Sequence, residues 1–144
     1  MKKEMIPLII EIAGKELLPQ LLDYEPHLPT DRIQHCLDNE TIMVLTDGNR
    51  VVGLLRWSLF WQTIPFLDLI YLDNEIQNQG HGSEMMRQWE AHMARLGYTY
   101  VMTSTQADES AWQFYEKLGY TQIGTFTPPD QEAPELMYGK PLSA

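Results

Sequence analysis

Apolar and polar positions along this chain follow two periods, and the switches between them mark the elements. "MIPLIIEIA" (Met5–Ala13) is a dense apolar run of strand length. "KELLPQLLDY" changes to helical spacing, with Pro19 interrupting or restarting the helix. In "LPTDRIQHCLDN" Thr30 stands as the N-cap of a short second helix. Two apolar runs flank Asp47-Gly48-Asn49 in "TIMVLTDGNRVVGLLRWSLF", which predicts a hairpin folded at that turn. "FLDLIYL" (Phe66–Leu72) is a further strand, entered through Pro65, where a missing N–H does little harm. Later, Met86, Trp89, Met93 and Leu96 recur on one helical face, and Gly97 takes the position just past the helix end. "YTYVMTST" reads as a strand. "DESAWQFYEKLGY" is a second amphipathic helix with Ala111, Phe114, Tyr115 and Leu118 on one side and Gly119 closing it. "YTQIGTF" and "ELMYGKPL" are the last strands.

The order is therefore strand, two helices, three strands, helix, strand, helix, two strands. A hairpin-rich front and a βαβ-containing back imply an α/β (α+β) fold, with a mixed sheet and helices on both faces. At 144 residues the chain is expected to be a single domain, 1–144.

Composition narrows the function classes. The hydrophobic share of 44% and charged share of 21% are those of a globular protein. No apolar run approaches the roughly 20 residues of a membrane span. Lysines precede apolar residues at the start, but Glu4, Glu11 and Glu16 interrupt a signal-peptide pattern, so a cytoplasmic protein is expected. A single cysteine, Cys36, excludes an internal disulfide and agrees with a reducing compartment. His35-Cys36 lacks metal-ligand spacing, and no metal is expected. A net charge of -10 gives no electrostatic footprint for nucleic acid and favours cationic partners such as amines.

One stretch changes the picture further. "EIQNQGHGSEMM" places Gly80 and Gly82 where a polar turn enters a helix. The first helical N–H groups have no intrahelical acceptor and sit at the positive end of the helix dipole, so an anion can satisfy them. Glycines let the backbone approach that anion and permit unusual φ angles. A plain strand-to-helix turn would use glycines too. The lysine of a P-loop and the third glycine of a dinucleotide fingerprint are both missing, which leaves a pyrophosphate site of another kind.

Gln77-Asn78-Gln79-Gly80-His81-Gly82 resembles the Q/R-x-x-G-x-G/A signature of the GNAT N-acetyltransferase superfamily. "DESAWQFYEKLGY" is similar to the family's second signature, with Ala111, Phe114, Tyr115, Lys117, Gly119 and Tyr120 all matching. The resemblance covers essentially the whole chain. It implies a mostly antiparallel sheet of about six or seven strands, splayed between the fourth and fifth. It also implies acetyl-CoA (coenzyme A) as acyl donor. The backbone N–H groups of Gln77, Asn78, Gln79, Gly80, His81, Gly82 and Ser83 would cradle its pyrophosphate, and the strand ending at Tyr71 and Leu72 would pair with its pantetheine arm. The family often carries Asn where Asp108 stands. Asp can cap the next helix, whereas its contact to the cofactor is in question.

The reaction implied is acyl transfer from a thioester to an amine. Tyr115 matches the family tyrosine near the coenzyme A sulfur and is the candidate general acid, its phenol being protonated at neutral pH. Asp68, a carboxylate inside an apolar strand, is the best general-base candidate, because burial there would raise its pKa. It can equally be a plain solvent-facing strand residue; Glu75 and His81 lie near the turn. For the acceptor, alternation puts Trp57 and Trp61 on one strand face as an aromatic wall for an amine's apolar body. Such residues also build cores and homodimer interfaces. The acidic loop "TPPDQEAPE" either lines the acceptor mouth or is simply solvated. A small-molecule amine is the expected substrate; a protein or peptide amine, or an acyl-CoA sensor without turnover, are the alternatives.

Overall fold

The computed structural model describes residues 7–143. Met5 and Ile6 of the predicted first strand lie outside them. The first strand is β1 (Ile9–Ile12), followed by a 3-10 turn at Lys15–Leu17 and helix α1 (Leu18–Tyr24). Pro19 sits in the first turn of α1, where its missing N–H costs no bond, so the helix restarts there. Helix α2 (Thr30–Asp38) has Pro29, not Thr30, at its N-cap position, and no side chain caps it. Thr30 is instead the first helical residue, a correction to the expected cap. Then come β2 (Ile42–Thr46), β3 (Val51–Phe60), β4 (Ile64–Leu72), α3 (His81–Arg95), β5 (Tyr100–Gln106), α4 (Ala111–Lys117), β6 (Thr121–Phe126) and β7 (Glu135–Pro141).

The seven strands hydrogen-bond in the order β1-β2-β3-β4-β5-β7-β6. The pairs β1–β2, β2–β3, β5–β7 and β6–β7 are antiparallel. The pair β4–β5 is parallel, with Phe66 opposite Met102 and Leu67 opposite Thr103, while β4 runs on to Leu72. The sheet is thus mixed, as the pattern of elements predicted, and mostly antiparallel, as the family resemblance implied.

The described residues form two compact units. One takes in the chain up to Trp57 together with Leu69–Gln88; the other takes in Ser58–Asp68 and the chain from Trp89 onward. In the first, Leu21, Ile33 and Leu37 of the two short helices pack with Ile42, Val44, Val51 and Leu54. Every residue of β2 is buried, so this strand is covered on both faces. Gly53 in β3 admits the Leu72 side chain, since a Cβ there would lie 2.6 Å from Leu72 Cδ2. In the second unit, Trp89 and Met93 of α3 are fully buried, each such side chain contributing about 1.5–3 kcal/mol or more. Leu96, expected on the same face, is instead 59% exposed. The helix unwinds just after it: Gly97 has φ +96, and the Tyr98 N–H donates back to the Met93 carbonyl. No helix among the described residues is long and apolar enough to cross a membrane.

Candidate functional site

The glycine turn lies in the first unit, between the end of β4 and α3. The Asp73 N–H donates to the Val52 carbonyl at 2.9 Å, which anchors the strand end. A 3-10 turn follows at Asn74–Ile76. The Gln77 side chain donates to the Leu72 carbonyl at 2.8 Å and to Asn74 Oδ1 at 3.2 Å; Gln79 donates to the Glu75 carbonyl at 3.0 Å. These amides are spent on the loop itself and hold its shape. Asn78 (φ 61) and Gly80 (φ 88) both take left-handed backbone, which Asn and Gly enter more readily than other residues.

The Glu84 N–H bonds to the Gly80 carbonyl at 3.1 Å, so the amides of His81, Gly82 and Ser83 precede the first intrahelical bond. A Cβ built on Gly80 meets nothing within 4 Å. Open space, left-handed backbone and helix-end N–H groups together suit a pyrophosphate. The residues present therefore fit the phosphate arm of a coenzyme A thioester.

In the same unit, reaching Tyr71 of β4, is a cavity of about 250 Å³ lined by Tyr24, Glu25, Pro26, His27, Leu54, Leu69 and Tyr71. Two of its polar groups are fixed by long-range bonds. The Tyr24 hydroxyl donates to Asp73 Oδ1 at 2.8 Å, and its ring meets Tyr71 edge-on with centroids 5.8 Å apart. Burial first, and then the Asp73 carboxylate, push the Tyr24 pKa well above the ordinary phenol value, so it stays protonated. Glu25 is 3% exposed, and both its oxygens accept from the Arg56 fork, Nε at 2.8 Å and Nη2 at 3.1 Å. Such a bidentate pair fixes a wall of the cavity. His27 is exposed in the loop between α1 and α2 and also lines it.

In the second unit, Tyr115 is 6% exposed, with Phe114, Tyr120 and Tyr138 rings around it. Burial pushes its pKa up to about 12, against a smaller lowering by its hydrogen bond with Thr103. The neighbouring motif residue Tyr120 donates to Glu90 at 2.9 Å, and Lys140 bonds the same carboxylate at 2.7 Å. Tyr120 therefore has a structural partner of its own.

Other expected site residues fall elsewhere. Trp57 is 4% exposed and belongs to the core, whereas Trp61 lies in the turn between β3 and β4 and is 78% exposed. The expected aromatic wall from this pair does not form, because the turn ends the alternation that would have aligned them. Asp68 is exposed, accepts from Ser58 at 3.0 Å, and lines an open depression with Phe60, Trp61, Phe66, Phe126 and Met137. The burial on which its role as base was argued is absent. Asp108 is exposed and does not cap α4: Ser110 holds the N-cap position, with no side-chain bond. Tyr24, Glu25 and His27 escaped sequence reasoning. They sit at the end of α1 and in the loop after it, and the partners of Tyr24 and Glu25 are 49 and 31 residues away. Among the described residues, no group of three or more His, Cys, Asp or Glu side chains is placed to hold a metal ion.

The profile of the Acetyltransferase (GNAT) family matches residues 9–120. Among solved structures, the chain is similar to the ribosomal-protein-S18-alanine N-acetyltransferase from Escherichia coli (TM-score 0.79, 16% identity, 96% of each chain covered). It is also similar to Ard1 from Thermoplasma volcanium (0.79, 17%, covering 95% of this chain and 99% of that one). An aminoglycoside 6'-N-acetyltransferase complexed with coenzyme A matches at 0.78 and 15%, covering 94% and 98%. No curated protein matches in sequence.

Proposed function

The chain belongs to the Acetyltransferase (GNAT) family, and from that premise we propose that it acetylates the primary amine of a small molecule held in the cavity between Tyr24 and Tyr71. Acetyl-CoA is the acyl donor and supplies an activated thioester carbonyl. The turn from Gln77 to Ser83 binds its pyrophosphate through backbone N–H groups, and the Tyr71–Leu72 strand end orients its arm. Tyr115 gives a proton to the departing sulfur; a phenol raised to about 12 is fully protonated at neutral pH and available for that role.

The observation that carries the acceptor reading is the cavity itself. It adjoins Tyr71, at the strand end where the family resemblance lays the donor's arm, and its volume of about 250 Å³ is below the usual range for drug-sized ligands. A compact amine with an apolar body suits Pro26, Leu54, Leu69 and the two tyrosine rings. A long peptide would need an open groove instead.

The test follows coenzyme A release with a panel of small amines and short peptides, using wild type and Leu69→Trp, which fills the cavity. Turnover with small amines that falls by roughly 100-fold in the variant, while calorimetry shows acetyl-CoA still bound, supports the reading. Preference for peptides, or turnover indifferent to Leu69→Trp, removes the small-molecule assignment. Acetyl-CoA binding without turnover of any amine leaves a sensor.

A further inference from the structure

We propose that His27 is the general base of the reaction, taking the proton of the acceptor amine. The inference rests on the acceptor reading above and deepens it. An amine that attacks a carbonyl must lose a proton, and the group that accepts it has to lie within hydrogen-bond reach of the acceptor. The ionisable side chains lining the cavity are Tyr24, Glu25, His27 and Tyr71.

Glu25 has both carboxylate oxygens committed to the Arg56 fork at 2.8 and 3.1 Å. Protonating it would dissolve a buried ion pair. Tyr24 donates its hydroxyl to Asp73, and burial together with that carboxylate holds it in the protonated form. A protonated phenol is no base. An imidazole is the side chain that changes charge between pH 5 and 8 and offers a lone pair when neutral. His27 is the one imidazole lining the cavity. Its exposure gives the captured proton a direct way to water. Asp68, expected from sequence to be the base, lines the aromatic depression instead.

The step balances as follows. The neutral amine nitrogen bonds to the acetyl carbon as the carbon–sulfur bond breaks. His27 accepts the proton that nitrogen loses, and Tyr115 protonates the sulfur. His27 then releases its proton to solvent, and Tyr115 recovers one from solvent. The products are the N-acetylated amine and coenzyme A thiol, with no redox change.

Three measurements test the assignment. Steady-state kinetics of His27→Ala with an active amine should show kcat lower by about 10²–10⁴-fold. Acetyl-CoA affinity by calorimetry should be unchanged, and added imidazole should restore turnover. Histidine ring NMR, assigned with His27→Asn, should show the His27 resonance moving when amine is added. Unchanged kcat in His27→Ala, or a loss that imidazole does not rescue together with an unmoved resonance, overturns the proposal. If Leu69→Trp abolishes turnover while His27→Ala does not, only the base is misassigned. Should Leu69→Trp have no effect, the acceptor cavity and the base fall together.

Discussion

Two aromatic hollows among the described residues are built on opposite principles. Around Tyr24 and Tyr71 the rings close a cavity of about 250 Å³, and two of its polar lining groups are held by partners far along the chain. Around Phe60, Trp61 and Phe66 the rings stack on one another over an open depression of about 490 Å³. The second is larger and richer in aromatic surface, which is why the sequence drew attention to it. Size and aromaticity do not make it the better site. What separates the hollows is enclosure and committed hydrogen bonding, which fix where a small ligand's polar atoms must go.

The sharpest way to break the contrast is to unfix the first hollow. Glu25→Ala removes the carboxylate that holds the part-buried Arg56 fork, and should cost about 1–3 kcal/mol in denaturant unfolding. A loss below about 1 kcal/mol would mean that the pair behaves like a surface one and sets no wall.

Tyr115 tests the same idea from a fully enclosed group. Tyr115→Phe removes one hydroxyl and should lower kcat by roughly 100-fold or more with little change in fold. Its pH dependence follows from the raised pKa. The folded state keeps the phenol proton more tightly than the unfolded chain, so stability is fully present below pH 10. It is lost as pH rises from 10.0 through about 12. Alkaline unfolding of Tyr115→Phe should begin from a shallower slope in that window; an identical slope would place the titration on the other buried tyrosines.

The smallest effect belongs to the second hollow. Trp61 (φ 55) and Gln62 (φ 62) both take positive φ in the turn between β3 and β4, the backbone of a type I′ hairpin that Asn-Gly favours. Trp61→Asn combined with Gln62→Gly should raise stability by about 1–2 kcal/mol and leave amine turnover intact. Loss of turnover in that double variant would move the acceptor to the depression and reverse the comparison.

How much of this was legible in the chain follows from the range of each interaction. Local periodicity marked every helix and strand in order, and Gly80, Gly97 and Gly119 were readable because positive φ leaves a chemical trace at one position. Thr30 was misread as a cap because Pro29, already extended at φ -61 and ψ 155, occupies that position without donating a side chain. Trp57 and Trp61 were paired by alternation that the turn at Trp61 breaks. The cavity was not legible at all. It depends on Tyr24 meeting Asp73 and Glu25 meeting Arg56, and no short window contains either pair.

The Tyr24–Asp73 hydrogen bond has one further consequence. One partner is in the cavity wall and the other is the residue that leaves β4 for the glycine turn. Occupancy at one end is therefore expected to be felt at the other, and thermodynamic reciprocity fixes the form of any such coupling. Whatever factor a bound amine applies to acetyl-CoA affinity, acetyl-CoA must apply to the amine. Tyr24→Phe, which cuts the connection while keeping the ring, should bring that factor toward one in paired calorimetric titrations. An unchanged factor would show that the two ligands communicate by another route.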